Sequence, residues 1–335
     1  MYPFLRKLLF LLPPETAHHL TLRLARWFYP PCLGKRRCKN ALEHPFKLFG
    51  LSLANPVGLA AGLDKDGKCM DAWFAMGFGF IEVGTVTPKP QSGNPKPRLF
   101  RISDQSALIN RMGFNNAGVD ALVTRLKQRR VPGIVGVNIG KNKETPLIKA
   151  VDDYRYCLEK VFPYADYVTV NISSPNTPGL RALQGAEYLD HLLFELMKTR
   201  AALEKDVGKH CPLLVKIAPD LNDLELKAMV ELFIKHNIDG IIASNTSIDH
   251  SAVESSMHAM EQGGLSGKPI FQRAKTMINR LFHLTEGRIP IIAVGGIHSP
   301  EQAKAMLGEG ASAVQIYTGL IYEGPSLIRK IIRAL

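Results

Sequence analysis

Tyr167-Val168-Thr169-Val170-Asn171-Ile172-Ser173-Ser174-Pro175-Asn176-Thr177-Pro178-Gly179 begins as a β-branched run and ends as a turn crowded with amides and hydroxyls. The first half reads as a buried strand. The second half, stiffened by Pro175 and Pro178, puts side chains that donate and accept hydrogen bonds at the strand's carboxyl end. That is where an α/β barrel builds its chemistry.

The same pattern recurs outward along the chain. Short β-rich runs occupy Pro56 to Leu59, Phe80 to Thr85, Gly133 to Gly140, Tyr167 to Ser173, Pro212 to Ala218, Gly240 to Thr246, Pro290 to Gly295 and Ala313 to Gly319. Helical patterns fit between them, among them Ala186 to Lys205, Leu221 to His236 and Lys268 to Leu284. Eight βα units predict an α/β fold of the (β/α)8 TIM-barrel type. The longest insertion, Thr87 to Asn116, is rich in Pro and Gly and should cover the mouth as a loop or small sheet.

A boundary near His44-Pro45-Phe46 separates this barrel, residues 46–335, from a helical extension, residues 1–45. The extension reads as two short helices. Phe4 to Leu12 is stopped by Pro13-Pro14, and Glu15 to Phe28 follows with Ala17, Leu20, Leu24, Trp27 and Phe28 assigned to one side. Of the net charge of +12, residues 1–47 hold nine Lys/Arg against two acids. The positive field is therefore local, which argues against a nucleic-acid-binding face. Cys32, Cys38, Cys69, Cys157 and Cys211 form no CxxC pair, and the ten histidines show no HxxxH spacing, so neither zinc, another metal nor a disulfide scaffold is indicated. The first apolar stretch is too short for a signal peptide, and none approaches the ~20 residues of a membrane span.

The residues ending the eight strands are strongly polar. They include Ala60-Ala61-Gly62-Leu63-Asp64-Lys65, Thr85, Asn138, Asn171, Lys216, Ser244-Asn245-Thr246, Gly295-Gly296 and Tyr317-Thr318-Gly319. Buried amides and lysines cost several kcal/mol each if unpaired, so such a ring implies a large polar ligand. Glycines after strands seven and eight, with Gly264 to Gly267, would let backbone N–H groups grip a phosphate. A single cradle without GxGxxG points to a mononucleotide, and two lysines in the ring suit the negative charge of a reduced flavin. Other readings stand beside these. Ser174 could be a turn residue capping a helix, and Lys216 an ion-paired core lysine or a Schiff-base nucleophile. The glycine pair could serve packing, and the leader could cover the barrel or form a dimer surface. A flavin barrel acting on RNA and a Schiff-base lyase are the competing classes.

Ala61-Gly62-Leu63-Asp64-Lys65, Asn110-Arg111-Met112-Gly113-Phe114-Asn115-Asn116, Asn171 to Thr177 and Val294-Gly295-Gly296-Ile297 together resemble the dihydroorotate dehydrogenases, in particular the membrane-associated, quinone-reducing class 2. The resemblance implies one non-covalent FMN, dihydroorotate as substrate, orotate as product, and ubiquinone or menaquinone as acceptor. It implies Ser174 as the catalytic base, where class 1 has cysteine. Lys65, Asn110, Asn171, Asn176, Asn245 and Thr246 match substrate-binding positions, with Arg111, Met112, Gly113 and Phe114 in the same motif. Flavin contacts match Ala61, Gly62, Leu63, Asp64 and Lys65, then Thr85, Asn138, Asn171, Lys216, Ser244, Gly267, Gly296, Tyr317 and Thr318. His18, Arg101 and Tyr317 match the quinone site. The leader, with Arg6, Lys7, Arg23, Arg26, Lys35, Arg36 and Arg37 beside apolar residues, suits an anionic membrane surface. The expected setting is peripheral, on the cytoplasmic face of a bacterial inner membrane, and the expected oligomeric state is a monomer.

Overall fold

Eight short parallel strands close on themselves: Val57–Leu59, Phe80–Val86, Ile134–Ile139, Tyr167–Asn171, Leu213–Ile217, Gly240–Ala243, Ile291–Val294 and Ala313–Ile316. They are the eight sequence runs, seven of them shorter at one or both ends and the second running one residue further, to Val86. This computed structural model describes residues 2–29 and 45–335. Cys32, Lys35, Arg36, Arg37, Cys38 and His44 lie outside the described residues.

Nearly every strand residue is buried, because helices cover the outside and side chains fill the inside. The filling pairs glycine with aromatic residues. A Cβ on Gly58 would stand 2.4 Å from the Phe80 ring, and one on Gly136 would stand 2.0 Å from that of Tyr167. Phe80 and Tyr167 therefore occupy space that only glycine leaves free. Leu48 and Leu53, from the hairpin Phe46–Leu48 with Leu51–Leu53, join Phe80, Tyr167, Leu214 and Ile242 in one cluster and seal the amino-terminal end of the barrel. The open end is left to the strand termini and their loops.

Local chemistry sets the helix starts. The helix Asp223–Lys235 opens with a capping box, Asn222 and Glu225 exchanging hydrogen bonds of 2.9 Å, worth about 1 kcal/mol. The helix Pro300–Gly308 has Ser299 as its cap and proline in its first turn. The mouth insertion is a sheet: Leu99–Ile102 pairs with Ala107–Asn110, which pairs with Gly264–Gly267, all antiparallel. Gly264 to Gly267 thus belongs to a strand, which leads directly into the 3-10 turn Lys268–Ile270.

The leader helices are Tyr2–Phe10 and Pro14–Phe28. The apolar side expected for the second is divided between two faces. Ala17 and Ala25 are buried, whereas Trp27 and Phe28 are 75% and 61% exposed and Leu20 is exposed as well. Polar bonds fasten the leader to the barrel. The Arg98 guanidinium donates to both carboxylate oxygens of Glu15, at 2.7 and 3.2 Å. Arg6 donates to the Tyr322 carbonyl at 2.6 Å, and the Tyr2 hydroxyl to that of Ile321 at 2.5 Å.

Candidate active site

Asn171, ending the fourth strand, organises the site. Its Nδ2 donates to the Thr85 hydroxyl at 2.9 Å and to Asn138 Oδ1 at 3.1 Å. Its Oδ1 accepts from the Ser173 N–H and hydroxyl at 3.2 and 3.0 Å, and from Asn245 Nδ2 at 3.4 Å. Four strand ends are tied through this one buried amide, so its plane and those of its neighbours are fixed.

Below it lies a charged layer that sequence reasoning overlooked. Glu82 is fully buried on the second strand and accepts from Asn138 Nδ2 at 2.8 Å, Gln315 Nε2 at 2.9 Å and the Tyr167 hydroxyl at 3.2 Å. A carboxylate inside the run Phe80-Ile81-Glu82-Val83 was the available signal, since an unpaired buried charge is prohibitively costly. Its field partly offsets the burial that lowers the pKa of Lys216.

One cavity of about 270 Å³ joins the strand ends to the leader. Lys65, Asn110, Asn171, Ser174, Asn176 and Lys216 line it, together with Ser244, Asn245 and Thr246. Ala61, Gly62, Leu63, Thr85, Met112, Gly113 and Phe114 add further wall, and Gly267, Gly296, Tyr317 and Thr318 close the far side. Three of the expected site residues do not line it. Asp64 is turned into the protein, where its carboxylate accepts from the Lys68 and Cys69 N–H groups at 2.7 Å and from Trp73 Nε1 at 3.1 Å. Asn138 supports Thr85 and Asn171 from behind. Arg111 points outward, pairing with Glu261 at 2.6 Å and stacking over Phe100.

The chemistry of the lining asks for an anionic ligand. Burial pushes Lys65 down to about 8, with Arg98 adding repulsion, and it lowers Lys216 too. Among the described residues neither ammonium forms an ion pair with a carboxylate; Lys65 donates only to the Gly62 carbonyl, at 3.2 Å. The hydroxyls of Thr246 and Thr177 are buried without a protein partner among the described residues. Gly296, at φ 68°, brings its loop so close to the helix Phe271–Thr285 that a Cβ would lie 2.7 Å from the Phe271 backbone. Packing alone therefore requires that glycine, and the same approach sets the loop at a helix amino terminus, where anions are favoured. A phosphate-bearing flavin mononucleotide fits these residues.

Ser174 is buried, and its Oγ accepts the Asn176 N–H at 3.3 Å. Asn176 Nδ2 donates to Asn110 Oδ1 at 3.3 Å, so the serine's loop meets the mouth sheet. Toward the leader the cavity becomes apolar, walled by Leu9, Phe10, Ala17 and Leu22 beside His18 and Arg101. Burial, and next the Lys65 charge, push His18 down to about 3, so it is neutral at pH 7. The Arg101 guanidinium donates to the Phe10 and Leu12 carbonyls at 3.1 and 2.8 Å and stacks over the Phe10 ring. Tyr317, pushed up to about 12 by burial, lies between the two arms and is likewise neutral.

Fold and site together define a (β/α)8 barrel enzyme whose site cavity is polar at the strand ends and apolar under the leader. The sequence profile described as dihydroorotate dehydrogenase matches residues 45–335. The chain is 53% identical over 335 residues to the dihydroorotate dehydrogenase (quinone) of Coxiella burnetii, covering 100% of this chain and 96% of that protein. It is 51% identical over 331 residues to that of Yersinia enterocolitica, covering 99% and 98%. The crystal structure of the Eimeria tenella enzyme in complex with ferulenol superposes with a TM-score of 0.89 at 39% identity, covering 96% of this chain and 90% of that one. The chain belongs to the dihydroorotate dehydrogenase family, which is flavin-dependent, and within it to the quinone-dependent class 2.

Proposed function

We propose that the protein oxidises (S)-dihydroorotate to orotate in pyrimidine biosynthesis, with one non-covalent FMN as redox carrier and a membrane quinone as acceptor. The observation that carries this reading is the convergence of Ser174, the amides Asn110, Asn171, Asn176 and Asn245, and two ammonium groups without carboxylate partners on one cavity. The amides match the pyrimidine ring's alternating donors and acceptors, and Lys65 the substrate carboxylate. FMN would be held by Ala61, Gly62, Thr85, Lys216 and Ser244, and by Gly267, Gly296, Tyr317 and Thr318. When bound, it supplies hydride acceptance from substrate C6 and electron delivery to the quinone.

Ser174 takes the C5 proton in this reading. A serine hydroxyl is a weak base, so the proton must leave it as it arrives. Thr177, whose hydroxyl is buried in the same loop without a partner among the described residues, is suited to relay it onward to a water molecule at the edge of the closed site. Ser174→Ala should retain flavin and slow its reduction by dihydroorotate by roughly 10²-fold or more. An unchanged rate would remove Ser174 from this role.

The leader's place follows from its surface. Seven of the eighteen large hydrophobic side chains left exposed among the described residues lie on it: Phe4, Leu5, Leu8, Leu11, Leu20, Trp27 and Phe28. No helix among the described residues is long and apolar enough to cross a membrane. Residues 1–45 are thus read as a membrane-surface and quinone-entry segment, with His18, Arg101 and Tyr317 along the path, and residues 46–335 as the FMN barrel. The protein is read as a peripheral monomer on the cytoplasmic face of a bacterial inner membrane.

A further inference from the structure

Arg181 follows the loop that carries Ser174, on the short 3-10 helix Leu180–Gln184, and does not line the cavity. Its guanidinium makes three bonds in three directions. Nε donates to the Ser173 carbonyl at 3.1 Å, Nη2 to the Thr246 carbonyl at 3.1 Å, and Nη1 to Asp220 Oδ2 at 2.9 Å. Ser173 precedes the proposed base, and Thr246 sits in the proposed substrate site with Asn245. One planar fork therefore spans the loops after the fourth and sixth strands, anchored on a carboxylate beyond the fifth. Lysine, a point donor, has no such fork.

The anchor is itself fixed. Asp220 also accepts from Arg273 Nη1 at 2.9 Å, from the Ile248 N–H at 3.1 Å and from the Ser247 hydroxyl. Gln184, three residues beyond Arg181, accepts from the Ala218 N–H at 3.2 Å and ties the same loop to the fifth strand's end. Within the same loop the Gly179 carbonyl accepts from the Ala182 N–H at 3.1 Å, and the Asn176 carbonyl accepts from Asn94 Nδ2 at 3.0 Å, so Arg181 adds its fork to a loop already tied to the mouth. We infer that Arg181 is a positioning residue: it sets the Ser174 loop at the height where the serine and the Asn245-Thr246 turn meet one substrate molecule. The inference rests on the proposed role of Ser174 and deepens it.

The experiment compares flavin-loaded full-length wild type with Arg181→Ala and Arg181→Lys in separate half-reactions. Misplacing a reacting group by about 1 Å can cost 10²-fold, so Arg181→Ala should slow flavin reduction at saturating dihydroorotate by about 10- to 100-fold and weaken orotate binding. Flavin content and reoxidation by quinone should match wild type, and millimolar guanidinium should restore part of the reductive rate. Arg181→Lys, which keeps the charge and the fold but loses the fork, should show a smaller loss confined to the same half-reaction. Equal slowing of both half-reactions, or reduction by Arg181→Lys at the wild-type rate, would overturn the inference. Failure of wild-type flavin to respond to dihydroorotate would instead defeat the functional reading on which it rests.

Discussion

Lys65 is a cavity residue whose ionisation falls near working conditions. Burial, and then the Arg98 charge, push its ammonium down to about 8. It is mostly charged at pH 7 and mostly neutral at pH 9. A bound substrate carboxylate favours the charged form and so raises the pKa in the complex. Above pH 8, binding must then take up a proton, and affinity falls as pH rises. KM for dihydroorotate should be level below pH 8 and climb by up to about tenfold per unit above it, with Lys65→Ala abolishing the dependence; a KM independent of pH through 10 would contradict this assignment. Lys65 was legible in the sequence because it follows a strand end and a glycine. Its neighbour Asp64 was placed at the site for the same reason, but its side chain does not line the cavity. Adjacency puts both near the cavity, but the Lys68 and Cys69 N–H groups draw the carboxylate inward, and those contacts arise only when the following helix turns back.

At the scale of elements, the Arg98–Glu15 ion pair is the most shielded of the bonds that fasten the leader to the barrel. Arg98 and Glu15 side chains are 7% and 12% exposed, so their charges are largely withdrawn from water. Burial alone would raise the Glu15 carboxyl, but hydrogen bonding and charge from Arg98 outweigh it and leave its pKa lowered. Removing one partner of such a pair strands the other at a cost on the order of 3 kcal/mol. Glu15→Gln should therefore loosen the leader, measured as faster proteolysis before Pro45 and slower reoxidation by a lipophilic quinone, while flavin reduction by dihydroorotate stays at the wild-type rate. Equal proteolysis and equal reoxidation would show that the leader is held elsewhere. Sequence periodicity found both helices but misjudged the second one's faces. It registers apolar residues without distinguishing those that meet the barrel, Ala17 and Ala25, from Trp27 and Phe28, which do not. The strand Gly264–Gly267 was missed because Gly-Leu-Ser-Gly has little strand propensity; its partner Ala107–Asn110 supplies the pairing. The barrel strands were plain, since β-branched runs bounded by glycine carry both period and boundary.

For the whole molecule, the decisive property is the continuity of one cavity from the buried strand ends to a leader studded with exposed apolar side chains. A polar arm suits a small anionic ring and an apolar arm a lipophilic acceptor, and the residues proposed to hold the flavin lie where the two meet. This division requires two separable half-reactions at a single centre. The most direct test is an anaerobic sequential titration of the purified full-length protein. Dihydroorotate should bleach the flavin with one orotate formed per flavin, and a lipophilic quinone added afterwards should return the colour fully. A flavin that dihydroorotate leaves oxidised, or that quinone cannot reoxidise once reduced, would contradict the account.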